Sequence, residues 1–537
     1  MSDKIQFSAR VRQPKTRRAS ANERAFFSAW RCWLPPAAVA LILILVFVDP
    51  FIGDWDALEY TLGALRGYPS SMALGRGLFI FFNRALYLVA HAAFHLQPQQ
   101  AYLLFKYAVV AQGPLVVIAC WVLTRDLSGS KYAATVAALL VTFSPVFVIY
   151  SGQVMTDVPA LLLTTVALIV HLRGLQERRV WLVIVGAALL GAGVNLRETV
   201  GFYGPWLVFA PFVCGWRPNR RGVLLVVLSC MVFVIFAGSG FAYWFLSDPN
   251  YRAAWHGWRE SMRVESALHP VSVHNLWPWL LFFLGTSPLV LLTLPMAFVS
   301  EWRRRKLSPI LLLAAVGLFA NLLLLLNYST TIGWRYLSTG LPALVPLCAN
   351  YLFRSMTRRL GTERRAFITS AAAIALIGVS FGVFLWPLRS AAVNVRAASK
   401  DYDRELMKVP RDAVMISGAQ TVAVIYWRGI GAGEWDVIGP GAGWPQGKLE
   451  KTIADYLHSG RRVFLDADPR WWQPCGWHLS EITELVKIER RFHFRQVSPT
   501  VFEILSSDDP SAADQPRLEN LLPENRPEEV KRCFNAG

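Results

Sequence analysis

The stretch Val223–Leu246, VLLVVLSCMVFVIFAGSGFAYWFL, runs without one charged side chain. A helix rises about 1.5 Å per residue, so this run reaches across the ~30 Å hydrocarbon core of a bilayer. A helix is also the form that satisfies every backbone N–H and C=O inside lipid. Further runs repeat the pattern with almost no charge: Leu34–Val48, Leu103–Leu123, Tyr132–Ile149, Leu276–Val299, Pro309–Leu326 and Phe367–Leu385. Of 537 residues, 54% are hydrophobic. A soluble chain would break them into short periodic segments. The fold class expected is a polytopic α-helical membrane protein.

The formal net charge is +18. The basic residues gather in short loops between the apolar runs, as in Arg173/Arg178/Arg179, Arg217/Arg220/Arg221, Arg303/Arg304/Arg305/Lys306 and Arg354/Arg358/Arg359. Alternate loops carry few. That is the positive-inside pattern of a membrane protein. No basic stripe interleaves with aromatics in a soluble segment, so no nucleic acid is expected as a partner. Residues 1–33 are rich in Lys and Arg and precede the first run. They are too long and too basic for a cleaved signal peptide, which makes them a cytoplasmic N-terminus ahead of an uncleaved anchor.

With basic loops placed inside, spans are expected near 34–48, 102–124, 132–150, 155–172, 180–195, 201–215, 222–246, 276–300, 308–327, 336–353 and 366–387. That is about eleven transmembrane helices within 34–390. The odd count puts the C-terminal part outside. An outer loop, 49–101, follows the first span. Its segment Gly77–Leu96 is interrupted by Asn83, Arg84, His91 and His95. A full crossing there would turn every later arginine cluster outward, so this segment is expected not to cross.

Beyond about 395 the composition changes. Ala413–Ser417, Val422–Trp427 and Arg462–Leu465 read as strands, and Lys448–His458 and Leu479–Ile488 as helices. Residues 395–505 are expected to form an extracytoplasmic α/β domain. Glycines at 429–433 and 439–443 lack the strand–loop–helix context of a phosphate cradle and read as tight turns. The polar, acidic tail 506–537 is expected to be disordered.

The candidate chemistry lies on the outer side. Asp54, Asp56 and Glu59 fall together just after the first span. Asp56 and Glu59 have the spacing of a helix-capping pair. Closely spaced carboxylates also suit a general base or a cation site. Asp157, in Thr156-Asp157-Val158-Pro159, opens a later span on the same side and has the place of a helix cap. Arg76, Arg197 and Arg335 sit in outer loops, where the charge rule disfavours them. Outer arginines can snorkel to headgroups, but guanidinium groups also pair bidentately with phosphate. Glu198 follows Arg197 directly and is its natural partner. The loop 247–275 carries His256 among tryptophans, a candidate for substrate or metal contact, without the tight spacing of a metal site.

These features occur in a recognisable order. An acidic group follows span one, Tyr150-Ser151 with Asp157 and Pro159 opens span four, Arg197 follows span five, and Arg335-Tyr336-Leu337 with Leu341-Pro342 enters a late span. The arrangement over roughly 30–390 resembles the GT-C membrane glycosyltransferases, in particular bacterial relatives of protein O-mannosyltransferases and of the lipid A aminoarabinose transferase. The outer α/β domain is similar in placement to that of the latter. The resemblance implies a polyprenyl-phosphate sugar donor, membrane lipids as surroundings, and transfer with inversion to a lipid, glycan or protein acceptor outside the bacterial inner membrane. It implies a catalytic carboxylate at Asp54 or Asp56, a second acidic position at Asp157, and donor-phosphate cations at Arg76, Arg197 and Arg335. The family's first motif is an adjacent acidic pair, where this chain has Asp54-Trp55-Asp56. Dependence on a divalent cation varies across the family. A transporter or flippase of lipid-linked sugars is the alternative. It would place ionisable residues near the bilayer midplane, often in repeated halves.

Overall fold

The structure is a computed structural model. It describes residues 30–48, 55–70, 73–268, 287–304, 307–327, 336–418, 420–439, 446–472, 474, 478–506 and 514–530. The helices are α1 (Trp30–Phe47), α2 (Trp55–Arg66), α3 (Gly77–Phe94), α4 (Ala101–Ser128), α5 (Lys131–Thr142), α6 (Pro145–Tyr150), α7 (Asp157–Glu177) and α8 (Val180–Val194). There follow α9 (Gly204–Val213), α10 (Arg220–Ser247), α11 (Pro249–Leu268), α12 (Pro288–Trp302), α13 (Pro309–Asn327), α14 (Leu341–Leu360) and α15 (Glu363–Leu406).

Among the described residues, α1, the segment from Leu74 to the end of α3, α4, α7, α10 and the first half of α15 are long and apolar enough to cross a membrane. Helices α5 and α6 together form a seventh such segment, bent by 65°. The chain is therefore a multi-pass helical membrane protein. The bend falls at Ser144-Pro145, where Ser144 takes an extended conformation (φ −86°, ψ 115°). Proline disfavours the α region for the residue before it, so a helix ends there. A single straight span over 132–150 is replaced by this broken one. Helices α8 and α12 and the apolar part of α13 are shorter.

Helix α4 is the hub of the bundle and packs along α1, α5 and α7. Helix α8 lies between α7 and α10, and small residues let the backbones approach. A Cβ at Gly186 would sit 2.6 Å from the His171 backbone nitrogen, and one at Gly191 would sit 2.4 Å from the Phe233 carbonyl oxygen. Such close approach is how helices associate where lipid offers no hydrophobic drive. The outer side of α10 exposes Val227, Met231, Val234 and Ile235, an apolar surface suited to lipid.

Helix α3 differs in part from expectation. It has the length and apolarity of a span, although the charge pattern denied it a crossing. It lies along α2 and touches α4 only briefly. Its polar interruptions are satisfied locally. Asn83 donates to the Phe79 carbonyl at 3.0 Å, and Arg84 donates to the Leu65 carbonyl, at the end of α2, at 2.9 Å.

Helix α15 carries the chain out of the bundle into a five-stranded mixed sheet. The strands are β1 (Val414–Ile416), β2 (Asp436–Ile438), β3 (Val463–Asp466), β4 (His493–Gln496) and β5 (Val501–Leu505), in the order β2-β1-β3-β5-β4. Strand β1 is parallel to β2 and β3, with Val414 beside Asp436 and Val463, while β5 runs antiparallel to β3 and β4. Helices α17 (Lys448–His458) and α18 (His478–Glu489) fall where the sequence puts them.

Two expectations in this region are overturned. Val422–Trp427 belongs to a helix, α16 (Thr421–Gly429), and not to a strand. Its β-branched residues favour strands, but helical spacing buries Ala423, Val424 and Tyr426, and the helix docks on α2. The tail is not wholly disordered either. Residues 514–530 pack on the domain, with Leu518 and Leu521 buried and Arg526 donating to the Pro469 carbonyl at 2.8 Å. Glu489 accepts from the backbone N–H groups of Arg517 and Leu518 at 2.8 and 2.9 Å. The glycine-turn expectation holds at Gly431, which takes φ 83° just after α16. Residues 440–443 lie outside the described set.

Candidate active site

The site is built where three chain reversals meet: the turn between α2 and α3, the start of α7, and the link between α8 and α9. Asp157 is the first residue of α7 and only 2% exposed. A carboxylate is favoured at this position by the N–H groups and dipole of the helix. Arg197 lies in extended backbone (φ −157°, ψ 125°) ahead of a 3-10 turn, Glu198–Tyr203. Its Nη1 is 2.6 Å from Asp157 Oδ1, and both side chains are 2% exposed.

Glu198 points the other way, to Arg76. The two are joined through Arg76 Nη1 and Glu198 Oε2, with a second contact of 3.1 Å from Nη2 to Oε1. The partner expected for Arg197 is thus given to a different arginine. Two crossed ion pairs, Asp157–Arg197 and Glu198–Arg76, tie the three reversals together. Arg76 Nε is buried and has no hydrogen-bond partner among the described residues.

The turn bearing Arg76 is held in an uncommon shape. Leu74, Gly75 and Arg76 all have left-handed backbone, with φ of 55°, 67° and 49°. Such conformations cost energy outside glycine and persist only where the surroundings impose them. Here the Ser70 N–H donates to the Gly75 carbonyl at 2.8 Å, and the Leu78 N–H donates to the Asn195 carbonyl at 3.3 Å. Tyr68 donates to Asp248 at 2.6 Å, just before α11. A Cβ on Gly75 would come within 2.8 Å of Tyr251 Oη. Asn195 is itself fixed by donating to the Phe236 carbonyl of α10 at 2.7 Å.

Asp56 and Glu59 stand on α2, Asp56 in its first turn and Glu59 accepting from Ser70 Oγ at 2.8 Å. The Ser70 contact links Glu59 to the Arg76 turn. Asp54 and Arg335 lie outside the described residues. The 3-10 turn after Arg335, Tyr336–Gly340, is joined to the Arg197 loop by Tyr203, which donates to the Thr339 carbonyl at 2.6 Å. His256 is on α11, exposed, in ring contact with Phe245 and Trp255. Among the described residues no trio of His, Cys, Asp or Glu side chains is placed to hold a metal.

The sequence reading passed over Lys106. It is 2% exposed within α4, the hub helix. A lone lysine inside an apolar run is itself a signal, because burying an ammonium is costly and such residues mark function.

The C-terminal sheet domain reaches the same end of the bundle. Helix α16 packs on α2, where a Cβ at Gly429 would meet Leu62, and Gln99 donates to the Ile430 carbonyl at 2.9 Å.

Residues 83–244 match the family model of dolichyl-phosphate-mannose-protein mannosyltransferases. No curated protein matches the chain. Among solved structures, ArnT from Cupriavidus metallidurans, bound to undecaprenyl phosphate, is similar over 90% of this chain and 99% of its own, with TM-score 0.56 at 15% identity. The oligosaccharyltransferase AglB from Archaeoglobus fulgidus, complexed with an inhibitory peptide and a dolichol-phosphate, is similar over 94% of this chain and 78% of its own, with TM-score 0.51 at 12% identity. Its apo form gives TM-score 0.53 at 12% identity, over 90% and 75%. The chain thus carries a segment that matches the mannosyltransferase family model, inside a helical membrane fold similar to those of ArnT and AglB.

Proposed function

We propose that this protein moves a sugar from a polyprenyl-phosphate donor to an acceptor on the extracytoplasmic face of a bacterial inner membrane, with inversion. The observation that carries the reading is the crossed pair of ion pairs, Asp157–Arg197 and Glu198–Arg76, at one end of an apolar bundle. Similar folds that hold dolichol-phosphate or undecaprenyl phosphate support a lipid-phosphate donor.

In this reading Asp54 or Asp56 removes the proton from an acceptor hydroxyl. The oxygen attacks the anomeric carbon, the bond from that carbon to the phosphate oxygen breaks, and polyprenyl phosphate leaves. The chemistry needs a base in hydrogen-bond reach of the hydroxyl and fixed cations at the departing phosphate. Arg76 fits the second role best, because its buried Nε is without a hydrogen-bond partner among the described residues. Arg197 and Arg335 are proposed to complete the cationic wall. Asp157 is given a positioning role, since its carboxylate is engaged by Arg197. Glu59 and the outer domain are proposed to line the acceptor side, the domain through its contact with α2.

The test is mass spectrometry of glycolipids and glycoproteins from cells with and without the gene. One sugar modification should vanish in the deletion, return with the wild-type gene, and stay absent with the Asp54→Asn/Asp56→Asn form. An unchanged set of glycans in the deletion would sink the transferase reading. Counterflow of a labelled lipid-linked sugar, without a new glycosidic bond, would point to a transporter.

A further inference from the structure

Far along α14 from the candidate active site, α12 and α14 enclose a cavity of about 660 Å³. The distance follows from the helix itself. Leu341, at the start of α14, adjoins the turn held by Tyr203, whereas Arg354 and Arg358 lie near its other end. At ~1.5 Å per residue they are separated by most of a bilayer's thickness.

The cavity has two kinds of wall. Four arginines reach it, Arg303 and Arg304 from the end of α12 and Arg354 and Arg358 from α14. They face one carboxylate, Glu301, which is 9% exposed. Glu301 Oε2 is 3.4 Å from Arg304 and 3.8 Å from Arg354. Its other oxygen accepts from Ser308 Oγ at 3.2 Å. One carboxylate therefore neutralises only part of the cluster. Arg354 Nη1 is buried and makes no hydrogen bond among the described residues.

The second wall is apolar. Met296, Val299 and Leu347 line it, and Tyr351 closes it by contacting Met296 Sδ at 3.7 Å. Met296 and Val299 are half exposed, on a helix that also exposes Leu292. Trp302, at 73% exposure, ends that helix where a tryptophan marks the lipid–water boundary. The cavity thus opens to the acyl region on one side and gathers guanidinium groups on the other.

We propose that this cavity binds the headgroup of an anionic diacyl phospholipid. The phosphate takes the guanidinium groups, and the acyl chains leave along Met296 and Val299. A soluble phosphate compound would use the arginines but would have no call on the apolar wall. Guanidinium groups suit the phosphate because they bond it bidentately. Basic pockets between spanning helices take lipids of this class.

Native mass spectrometry of the detergent-purified full chain tests the assignment, with dioleoylphosphatidylglycerol and dioleoylphosphatidylcholine in equal amounts. The protein should retain phosphatidylglycerol preferentially. Arg303→Gln/Arg358→Gln should weaken that retention by at least about tenfold. This variant spares both arginines that contact Glu301, so no buried carboxylate is stranded. Equal retention of the two lipids, or undiminished retention by the folded variant, would overturn the proposal. Complete displacement of phosphatidylglycerol by millimolar inorganic phosphate would also overturn it, in favour of a soluble phosphate ligand.

Discussion

Arg197 turns away from Glu198, its neighbour in the chain, and pairs with Asp157 across the α7–α8 hairpin at 2.6 Å, both side chains 2% exposed. Glu198 is thereby released to hold Arg76 on the α2–α3 turn. The exchange of partners has a structural consequence. Pairing between neighbours would fix only one loop, whereas crossed pairing locks three loops to one another. In the proposed transferase this cross-bracing would hold Arg76 and Arg197 in place against their mutual repulsion before the donor phosphate arrives.

Removing one member of the Asp157–Arg197 pair should cost more than removing both. Arg197→Ala leaves a buried carboxylate without its cation, a change that destabilises by about 3–5 kcal/mol. Asp157→Asn/Arg197→Gln keeps polar groups of similar size and carries no stranded charge. Thermal unfolding in detergent should therefore rank wild type first, the double variant second and Arg197→Ala last. A double variant no more stable than Arg197→Ala would mean that the two residues are not coupled.

The Arg76 turn should be sensitive to a single methyl group. Gly75→Ala forces a side chain onto left-handed backbone, at about 1–2 kcal/mol, and drives Cβ to 2.8 Å from Tyr251 Oη. Thermal unfolding should register the loss. Tyr251→Phe in the Gly75→Ala background removes the oxygen but leaves the backbone strain and a 3.0 Å contact with Pro69, so rescue should be partial. No rescue at all would show that Tyr251 does not bound the turn.

If the transferase proposal holds, Asp54→Asn or Asp56→Asn should reduce transfer by two orders of magnitude or more, roughly the contribution of a general base. Insertion and thermal stability should stay near wild type. Full transfer by both single variants and by the double would remove these residues from catalysis. Arg76→Lys should retain part of the activity, because it keeps the charge and loses the bidentate geometry. Arg76→Gln should lose both.

The sequence made the membrane legible because apolar length is a property of each run taken alone, as in Val223–Leu246. It also marked Arg76, Arg197 and Asp157, since charge at a span's edge is costly enough to be noticed. What it could not supply was pairing. Arg197 and Glu198 are adjacent, and only the tertiary fold sends one toward α7 and the other toward α3. Helix α16 was hidden for a related reason. Its β-branched residues favour a strand in isolation, and its helical form depends on burying Val424 and Tyr426 and on docking against α2. The break before Pro145 was readable, because proline constrains its predecessor wherever it falls. Lys106 was readable too, as the one cation inside the run Leu103–Leu123.

The C-terminal sheet domain should lose stability as pH rises, through Asp403. This residue lies near the end of α15, beyond the bundle, and its carboxylate accepts from Trp427 Nε1 at 2.7 Å. Burial pushes its pKa from 3.8 up to about 6, and the Trp427 hydrogen bond only partly opposes the shift. Below about pH 4 the carboxyl is protonated in both folded and unfolded chains, so the group favours neither. Between about pH 4 and 6 the folded state keeps a proton that the unfolded state has released, and stability falls as pH increases. Above about pH 6 the cost of the buried charge is fully present, on the order of 3 kcal/mol. Asp403→Asn accepts the same hydrogen bond from Trp427 without titrating. Its unfolding temperature should match wild type near pH 4 and exceed it near pH 7. The comparison with wild type isolates this group from other buried acids such as Asp466, whose pKa is also raised by burial. Parallel pH profiles for the two proteins would show that Asp403 is not the carboxyl that titrates.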